Sequence, residues 1–553
     1  MADKIDDEIA KIIHKYVLVN AIEHEGIAKS GSVLGLLLSE HIELRSRVSE
    51  IKTIIEKETE KVNKITLEEQ KEELSKLGGF EKKVKEQREG LIELPEAKIG
   101  RVVLRFAPNP DGAIHIGNAR AAVLNYEYAK KYKGKFILRF DDTDPKIKIP
   151  EKHFYDFIRA DLKWLGIKWS KEIIASKRLK IYYKYAKKII KLGKAYVCTC
   201  GEEWKNLRNK SQPCPCRDSK ISDNLEKWKQ MLKHSYKEGQ AVLRIKTSLV
   251  DPNPAVRDWA AFRIVDNPKH PLVKAHLWPL YNFASAIDDH EFGITHILRG
   301  QEHSTNETKQ RYLYEHFGWK YPKTIVLGRF SMSGLVLSKS KIREGIKNHE
   351  YEGWNDVRLG TLMSLKRRGF QAEAIKKLII DIGVKPSDVK IAIENLSGYN
   401  KKIIDNIADR YYFVSNPIEI KVKNNTIKKA ELPVHPEKKK KRVIKIGKIF
   451  FVDGDDYKKY HGTDVRLKGL FNIKLEKETT MTDFEIRDNP KIQWVPEQHI
   501  DVEVIKPEGI VKGYGEINLL KTKPYQVVQF ERFGFVRIEK VDKKKIVAVF
   551  AHQ

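Results

Sequence analysis

The feature that most limits how this chain can fold is an alternation of strand, loop, helix and strand that begins near residue 100. Val102–Phe106 is a short, mostly apolar run that ends before two prolines, and Gly117–Tyr132 follows with the apolar spacing of a helix. Lys135–Phe140 is the next apolar run, and the turn-prone stretch Asp141–Pro145 ends it. This order predicts a right-handed βαβ unit of a parallel sheet. Because ligands of such sheets bind beyond the carboxyl ends of the strands, the residues that follow both strands are candidates for a binding site.

The length and charge of the chain indicate several domains and a polyanionic partner. At roughly 100–200 residues per domain, 553 residues predict three to five domains. The 105 lysines and arginines exceed the 75 aspartates and glutamates by 30, which favours a partner such as a nucleic acid. We find no run of about 18 apolar residues and no secretory signal, so we expect no membrane span and a cytoplasmic location. Four cysteines in a chain of this length exclude a disulfide framework.

Composition divides the rest of the chain into segments. Residues 1–98 are rich in glutamate, lysine and aliphatic side chains, and 40–62 carry an apolar stripe at helical spacing, which predicts an appended helical domain. The apolar residues of this stripe are Leu44, Val48, Ile51, Ile54 and Ile55. Residues 346–410 are expected to be mostly helical, with a helix at Lys401–Arg410. From 411 to 553 β-branched stretches alternate with turns, which predicts an all-β tail of barrel or sandwich type.

The loop after the first predicted strand has the composition of a phosphate site. Gly112 and Gly117 have P-loop spacing, but Asn118 and Ala119 follow where that loop needs lysine and serine or threonine, so a P-loop is excluded. His115 is expected just before the helix N-terminus, where backbone amides already favour an anion, and its imidazole could donate to ATP phosphates. Gly117 would leave room for the nucleotide. The alternative is a capping histidine in an ordinary strand–helix turn.

A second motif lies about 220 residues later, at residues 331–341, where a loop rich in glycine and serine presents Lys339. A lysine there could stabilise charge on a transferring phosphoryl group. Together the two stretches resemble the HIGH and KMSKS signatures of class I aminoacyl-tRNA synthetases, in the same order. Two positions depart from those signatures: Asn118 stands for the last histidine of HIGH, and Val336 stands for the first lysine of KMSKS.

The resemblance extends beyond these motifs. Residues 105–112, 139–145 and 281–300 are similar to the glutamyl/glutaminyl-tRNA synthetase family, and the β-rich tail resembles the archaeal/eukaryotic type of glutamyl-tRNA synthetase. The resemblance implies a multidomain α/β fold: a Rossmann-type parallel-sheet catalytic domain with an inserted acceptor-stem-binding domain, a helical connecting domain, and a C-terminal β-barrel region that binds the anticodon. The implied boundaries are 1–98 for an N-terminal helical appendix, 99–195 and 277–345 for the catalytic halves, 196–276 for the insertion, 346–410 for the connecting domain and 411–553 for the anticodon-binding region. Protein partners are expected at the N-terminal domain.

The same resemblance implies a set of glutamate-binding residues. Arg105 matches a position that contacts the amino acid through a carboxylate, Asp141 matches the acid that receives the α-ammonium, and Tyr281 and Asn109 belong to the same pocket. Glutamate carries two carboxylates and one ammonium, so its site needs two donors and one acceptor. The alternative is that Arg105 and Asp141 form a buried ion pair and Tyr281 is a core residue. The ATP-handling and catalytic positions implied by the resemblance are His115, Gly117, Asn118, Ser338 and Lys339.

Arg299 decides between glutamate and glutamine. It falls where glutamyl enzymes of the family carry arginine and glutaminyl enzymes carry a small uncharged residue. A guanidinium pairs with a γ-carboxylate and stays unpaired beside an amide, so the pocket is expected to take glutamate.

The reaction implied is formation of glutamyl-adenylate from ATP with Mg²⁺, followed by transfer to the 3′-terminal adenosine of tRNA(Glu); a second acceptor, tRNA(Gln), is left open. Three alternatives stay open as well: a glutaminyl-tRNA synthetase, a catalytically silent tRNA-binding paralogue, and a small-molecule nucleotidyltransferase of similar fold.

All four cysteines lie within 19 residues, as Cys198, Cys200, Cys214 and Cys216. Two Cys-x-Cys pairs can supply four thiolates to a tetrahedral zinc ion, and four protein ligands leave no open position for water. This spacing predicts a structural zinc site, which the resemblance places in the acceptor-binding insertion. The alternative is a set of ordinary buried thiols.

Overall fold

The structure, a computed structural model, describes residues 2–40, 47–78 and 91–553. It divides into two compact units, residues 1–88 and residues 89–553. Among the described residues we find no helix of the length and apolar character that crossing a membrane requires.

The described part of the first unit is helical. Its helices are α1 (Ala2–Glu23), α2 (Ser30–Glu40), α3 (Val48–Val62) and α4 (Leu67–Lys76). Helix α4 begins at a capping box: the Thr66 hydroxyl accepts a hydrogen bond from the Glu69 backbone amide, and the Glu69 carboxylate accepts one from the Thr66 backbone amide. Ile51 and Ile55 of the predicted stripe are buried in the core of this unit, whereas Leu44 lies outside the described residues.

The second unit opens with the predicted βαβ arrangement. Its first elements are β1 (Val103–Phe106), α5 (Ile116–Lys131), β2 (Lys135–Phe140), α6 (Lys152–Trp164), β3 (Lys171–Ile174) and α7 (Leu179–Lys191). Strands β1, β2 and β3 are parallel, with Arg105 opposite Ile137 in the register. Both β1 and β2 are almost fully buried, as expected of parallel strands covered on two faces.

Between α7 and the second half of this sheet the chain forms a separate antiparallel sheet. Its elements are β4 (Ala195–Cys198), α8 (Glu203–Asn209), α9 (Ile221–Leu232), β5 (Val242–Ile245), β6 (Ala260–Ile264) and β7 (Leu277–Pro279). The four strands pair in sequence order. This arrangement is that of a domain inserted into a parallel-sheet fold.

The chain then returns to the parallel sheet. The elements are α10 (Tyr281–Glu291), β8 (His296–Gly300), α11 (Ser304–Phe317), β9 (Lys323–Leu327), β10 (Phe330–Ser333) and α12 (Lys339–Lys347). The Thr295 amide donates to the Val103 carbonyl at 3.0 Å, which places β8 beside β1, and β9 runs parallel to β8. The strand order is therefore 3-2-1 followed by β8 and β9, and the order reverses between β1 and β8. Ligands of open α/β sheets bind at such a reversal.

The segment that follows is mostly helical but departs from the prediction at two places. Its elements are α13 (Leu362–Arg368), α14 (Ala372–Ile382), β11 (Val389–Ala392) and α15 (Ile393–Ile404). The predicted helix at Lys401–Arg410 is confirmed only as far as Ile404, where α15 ends, and was wrong beyond it, since Asp409–Tyr411 is a strand that pairs in parallel with Val527–Phe530. A strand 118 residues away thus decides this conformation. Strand β11, which pairs with β10, was not predicted.

The remaining chain is β-rich, as predicted. It contains β12 (Asp409–Tyr411), β13 (Phe413–Ser415), β14 (Ile418–Val422), β15 (Lys429–Pro433), β16 (Lys441–Lys445), β17 (Ile449–Val452), α16 (Gly454–Tyr460), β18 (Asp464–Leu467), β19 (Asn472–Lys474), β20 (Glu478–Thr479), β21 (Lys491–Ile492), β22 (Trp494–Pro496), β23 (His499–Lys506), β24 (Gly509–Glu516), β25 (Val527–Phe530), β26 (Gly534–Val541) and β27 (Lys545–His552). The largest sheet joins β12 and β13 to the last five strands. The multidomain α/β fold with a β-rich C-terminal region is confirmed.

One buried acid in α6 makes a testable contribution to stability. Asp161 is 4% exposed, and burial raises its pKa to about 8, although the Lys366 ammonium and the Ile114 amide act in the opposite direction. An unfolded aspartate ionises near pH 4, so the free energy of unfolding should fall as the pH rises from about 4 to about 8.

We expect Asp161→Asn to remove this contribution, so that the variant loses less stability than the parent protein between pH 5 and pH 8. Thermal melts at several pH values measure the difference, with Asp156→Asn as the control because Asp156 is exposed on the same helix. Parallel curves of Tm against pH for Asp161→Asn and the parent would contradict the assignment.

Candidate active site

A cavity of about 1090 Å³ lies at the carboxyl ends of β1, β2 and β8. Predicted site residues that line it are Arg105, Asn109, His115, Gly117, Asn118, Asp141, Tyr281, Arg299 and Lys339. The predicted residue Ser338 lies outside this lining, at the N-cap of α12, with its hydroxyl 3.0 Å from that of Ser340. The reversal in strand order between β1 and β8 brings residues almost 200 positions apart to one cavity.

His115 is the N-cap of α5, and its Nδ1 accepts a hydrogen bond from the Asn118 amide at 3.3 Å. Burial, together with the nearby Lys339 ammonium, lowers the pKa of His115 to about 4. The imidazole is therefore neutral at pH 7, and because Nδ1 accepts, its proton is on Nε2. His115 therefore caps the helix, which the sequence analysis gave as the alternative to phosphate binding. Its Nε2–H remains as a donor for an anion. A Cβ at Gly117 would lie 3.0 Å from the His115 ring, so glycine is needed for this ring to fold over the helix start.

Lys339 reaches the same loop from the first turn of α12. Its Nζ lies 2.9 Å from the Asp111 carboxylate and 3.3 Å from the Asn109 carbonyl, while its stem passes over Gly112. The Asp111 contact was not predicted. Since Lys339 also lowers the pKa of His115, the ammonium and the imidazole share one end of the cavity.

Arg105 does not form an ion pair with Asp141, although the sequence had left such a pair open as an alternative. Its Nε and Nη2 donate to the two carboxylate oxygens of Asp289 at 2.7 and 2.9 Å, and both side chains are buried. A bidentate contact through these two nitrogens fixes the plane of the guanidinium. Asp289 lies in α10, the helix that begins with Tyr281. One helix therefore supplies a pocket residue and the anchor of another.

Asp288 anchors the neighbouring strand in the same manner. It accepts hydrogen bonds from Arg139 and Arg178 at 2.7 Å each and from Tyr182 at 2.6 Å. Arg139 also lies 3.2 Å from Asp141. Burial raises the pKa of Asp141, and the Arg139 guanidinium opposes that rise. Asp141 is thus a half-buried carboxylate at the cavity wall that an added cation would stabilise in its ionised form.

Arg299, in β8, is 7% exposed and contacts only neutral groups among the described residues. Its Nη2 donates to the Gln310 side-chain carbonyl and to the Tyr321 hydroxyl, both at 3.0 Å. Its Nε and Nη1 are buried without a partner in the described part of the chain. A buried guanidinium with two unsatisfied nitrogens favours an anionic ligand.

Asp288 and Asp289 were missed by the sequence analysis, as were Gln310 and Tyr321. A signal existed for the two acids, because they directly follow the mostly apolar run Phe283–Ile287, and charges next to a buried run are rarely buried without partners. The sequence does not show which arginines they meet, since 184 residues separate Asp289 from Arg105.

The four cysteines lie together at the end of β4 and in the loop before α9. Cys198 and Cys214 sulfurs are 3.9 Å apart, and those of Cys200 and Cys216 are 3.6 Å apart. The sulfurs of Cys198, Cys200 and Cys214 all lie within 4.8 Å of one another. Zinc–sulfur bonds of about 2.3 Å place tetrahedral ligands about 3.8 Å apart, so the donor set and spacing fit zinc.

Trp204 connects this cysteine cluster to the cavity. Its side chain packs against the cysteines, and the Arg244 guanidinium lies 3.3 Å from the centre of its ring. Trp204, Arg244 and Arg208 all line the cavity. Stacked aromatic and guanidinium groups of this kind suit the bases and phosphates of single-stranded nucleic acid.

Comparison with known families covers most of the chain. The family model described as tRNA synthetases class I (E and Q), catalytic domain, matches residues 101–406. Two models described as tRNA synthetases class I (E and Q), anti-codon binding domain, match residues 408–489 and 491–539. The model of the catalytic domain precedes the two models of the anticodon-binding domain along the chain.

Curated relatives are similar over nearly the full length. A protein of Pyrococcus furiosus named glutamate–tRNA ligase is 51% identical over 573 residues, with 99% of this chain and 100% of the relative covered. Proteins of the same name from Pyrococcus abyssi and Methanocaldococcus jannaschii are 52% and 44% identical, with 99% and 97% of this chain and 100% and 98% of the relatives covered. By these matches and by the sheet, the loops and the cavity described above, the chain belongs to the class I tRNA synthetases of the E and Q family.

Proposed function

We propose that this chain is a glutamate–tRNA ligase, which activates glutamate with ATP and transfers it to the 3′-terminal adenosine of tRNA(Glu). The observation that carries this proposal is that one cavity holds both Arg299, a buried cation with no carboxylate partner among the described residues, and the neighbouring His115 and Lys339. The cavity volume of about 1090 Å³ suits two substrates better than one, since single-ligand pockets are typically about 300–1,000 Å³.

The amino-acid end of the cavity has the charges that glutamate requires. Asp141 supplies an acceptor for the α-ammonium, Arg105 and Tyr281 are donors for a carboxylate, and Arg299 pairs with the γ-carboxylate. Asp289 holds Arg105 in its plane, so the guanidinium approaches the substrate without reorganisation. Asn109 lines the same wall and keeps an unpaired side-chain oxygen.

The ATP end binds the phosphates through neutral and charged donors. His115, with its Nε2 proton, and Lys339 line the cavity beside the start of α5, whose first amides favour an anion, and Asn118 adds an amide side chain to the same lining. MgATP is the nucleotide substrate. The glutamate α-carboxylate attacks its α-phosphorus, the bond from that phosphorus to the β-phosphate oxygen breaks, and pyrophosphate leaves as glutamyl-adenylate forms. Lys339 stabilises the charge that develops on the phosphates, and the chain itself forms no covalent intermediate.

A direct test is ATP–pyrophosphate exchange and aminoacylation with the full chain, in the presence of tRNA(Glu). We expect glutamate to support both reactions and glutamine to support neither at equal concentration. Activity with glutamine alone would indicate a glutaminyl enzyme. Binding of tRNA without exchange would indicate a catalytically silent paralogue. Asn118 and Val336 would then be positions at which catalytic residues have been lost. The same assay with tRNA(Gln) decides whether a second acceptor is used.

We also propose that the four cysteines hold one structural zinc ion. The supporting observation is that the sulfurs of Cys198, Cys200 and Cys214 lie within 4.8 Å of one another. Cys216, which lies outside this group of three but has its sulfur 3.6 Å from that of Cys200, would be the fourth ligand. Zinc would hold the loop before α9 against the end of β4, and so would hold Trp204 at the cavity wall. Four protein ligands give the metal no open position, so it takes no part in the chemistry.

Replacing Cys200 by serine should remove most of the zinc and weaken binding of the tRNA acceptor end, while ATP affinity changes by less than about twofold. Zinc content per chain, measured by mass spectrometry of protein purified without added metal, is the first readout, and the binding constants are the second. The control is Ser219→Cys, which alters a nearby residue without removing a ligand. A metal-free parent protein with full activity would contradict the assignment.

A further inference from the structure

The buried arginines that line the cavity differ in how their charges are balanced. Arg105 contacts the buried carboxylate of Asp289, whereas Arg120 and Arg244 donate to backbone carbonyls. Arg299 has no ion pair among the described residues, and its partners are an amide and a phenol. A cation held only by neutral groups in a buried position is costly unless a ligand supplies the negative charge.

Gln310 and Tyr321 form a closed triangle of hydrogen bonds with Arg299. Nη2 of Arg299 donates to both, and the Tyr321 hydroxyl donates to the Gln310 carbonyl at 2.9 Å. Burial raises the pKa of Tyr321 to about 12, so the phenol is neutral at pH 7. Gln310 is 0% exposed on α11, and neither residue lines the cavity. Both therefore act on a ligand only through the guanidinium.

We propose that Gln310 is a positioning residue that determines specificity: its neutral amide orients Arg299 and leaves the guanidinium charge for the γ-carboxylate of the substrate. The inference rests on the proposed function and deepens it, because it assigns the choice of glutamate over glutamine to a residue that does not touch the substrate.

The physical reason is that glutamine and glutamate side chains have nearly the same shape. A glutamate at position 310 would place a carboxylate about where the Gln310 carbonyl now accepts from Nη2, and it would neutralise Arg299 from behind. The pocket would then offer a balanced ion pair to the substrate, and a γ-carboxylate would gain little over a γ-amide. The same side-chain volume would be kept, so packing around α11 should change little.

The experiment compares two variants of the full chain, Gln310→Glu and Gln310→Met. Gln310→Glu should lower kcat/KM for glutamate by at least roughly 30-fold, mainly through KM, while the KM for ATP changes by less than about twofold. Its preference for glutamate over glutamine should shrink by at least roughly tenfold. Gln310→Met removes the acceptor but stays neutral, so it should raise the glutamate KM by a few fold and keep most of the preference.

The matched control is Gln493→Glu, because Gln493 is also buried, at 3% exposure, in the β-rich tail. It reports the cost of burying a carboxylate and should leave the amino-acid preference as in the parent. If Gln310→Glu and Gln310→Met lose the preference equally, or if both keep it, Gln310 acts through packing alone and the inference is overturned. A parent protein that does not charge glutamate contradicts the proposed function instead, so the two failures are distinct.

Discussion

Changing Arg299 to cysteine is expected to lower kcat/KM for glutamate by roughly 30-fold or more, because the γ-carboxylate loses its buried cationic partner. Discrimination against glutamine should shrink at the same time, since the penalty of leaving a guanidinium unpaired disappears. Efficient use of glutamine is not expected, because Arg105, Asp141 and Tyr281 remain as they are. Steady-state aminoacylation with each amino acid and saturating tRNA measures both effects.

The control for this substitution is Arg101→Cys, which adds a thiol at an exposed arginine just before β1. The KM for ATP should stay within about twofold in both variants, because the end of the cavity that holds Arg299 is the one proposed for the amino acid. Unaltered glutamate kinetics in Arg299→Cys would mean that another residue contacts the γ-carboxylate. The choice of glutamate over glutamine would then have to be reconsidered.

Lys339→Ala should slow adenylate formation by about 100-fold, because the ammonium stabilises charge that develops in the transition state. In the structure Nζ pairs with Asp111, so the side chain is already directed at the loop that carries His115. The rate of ATP–pyrophosphate exchange at saturating ATP and glutamate is the readout. The affinity for tRNA should stay within about twofold.

Lys347→Ala is the matched control, since Lys347 is an exposed lysine at the other end of α12. It removes the same charge from the same helix and should leave the exchange rate nearly as in the parent. Equal losses of tRNA affinity and of rate in Lys339→Ala would indicate instead a lysine that binds the RNA backbone.

Local patterns in the sequence were sufficient to predict a helix or a strand where the residues of that segment determine its structure. The predicted strand Lys135–Phe140 has the bounds of β2, and the predicted helix Gly117–Tyr132 differs from α5 by one residue at each end. In both segments the spacing of the apolar residues matches the period of the element, a strand or a helix. Both segments also have turn residues at their ends. The spacing of the cysteines also predicted that their thiols would be neighbours, because all four lie within 19 residues and only the short helix α8 and its flanking turns separate the two pairs.

The error at Lys401–Arg410 has the opposite origin. The charge and apolar spacing there suit a helix, but Asp409–Tyr411 finds a partner strand at Val527–Phe530. Pairing with a strand that far along the chain outweighs local propensity, and a single sequence does not report it.

The sequence by itself determined which side chains are candidates for substrate binding: an arginine near the end of each of two parallel strands, an acid after another, a histidine before a helix, and a lysine after a stretch rich in glycine and serine. Only the tertiary structure decided how the charges of those side chains are balanced. The pairs of Asp289 with Arg105 and Asp288 with Arg139, and the neutral partners of Arg299, join segments that are far apart in the chain or lie on different elements. Burial strengthens each ion pair, and it makes a charge without an ionic partner costly. How deeply a side chain is buried depends on how the elements pack.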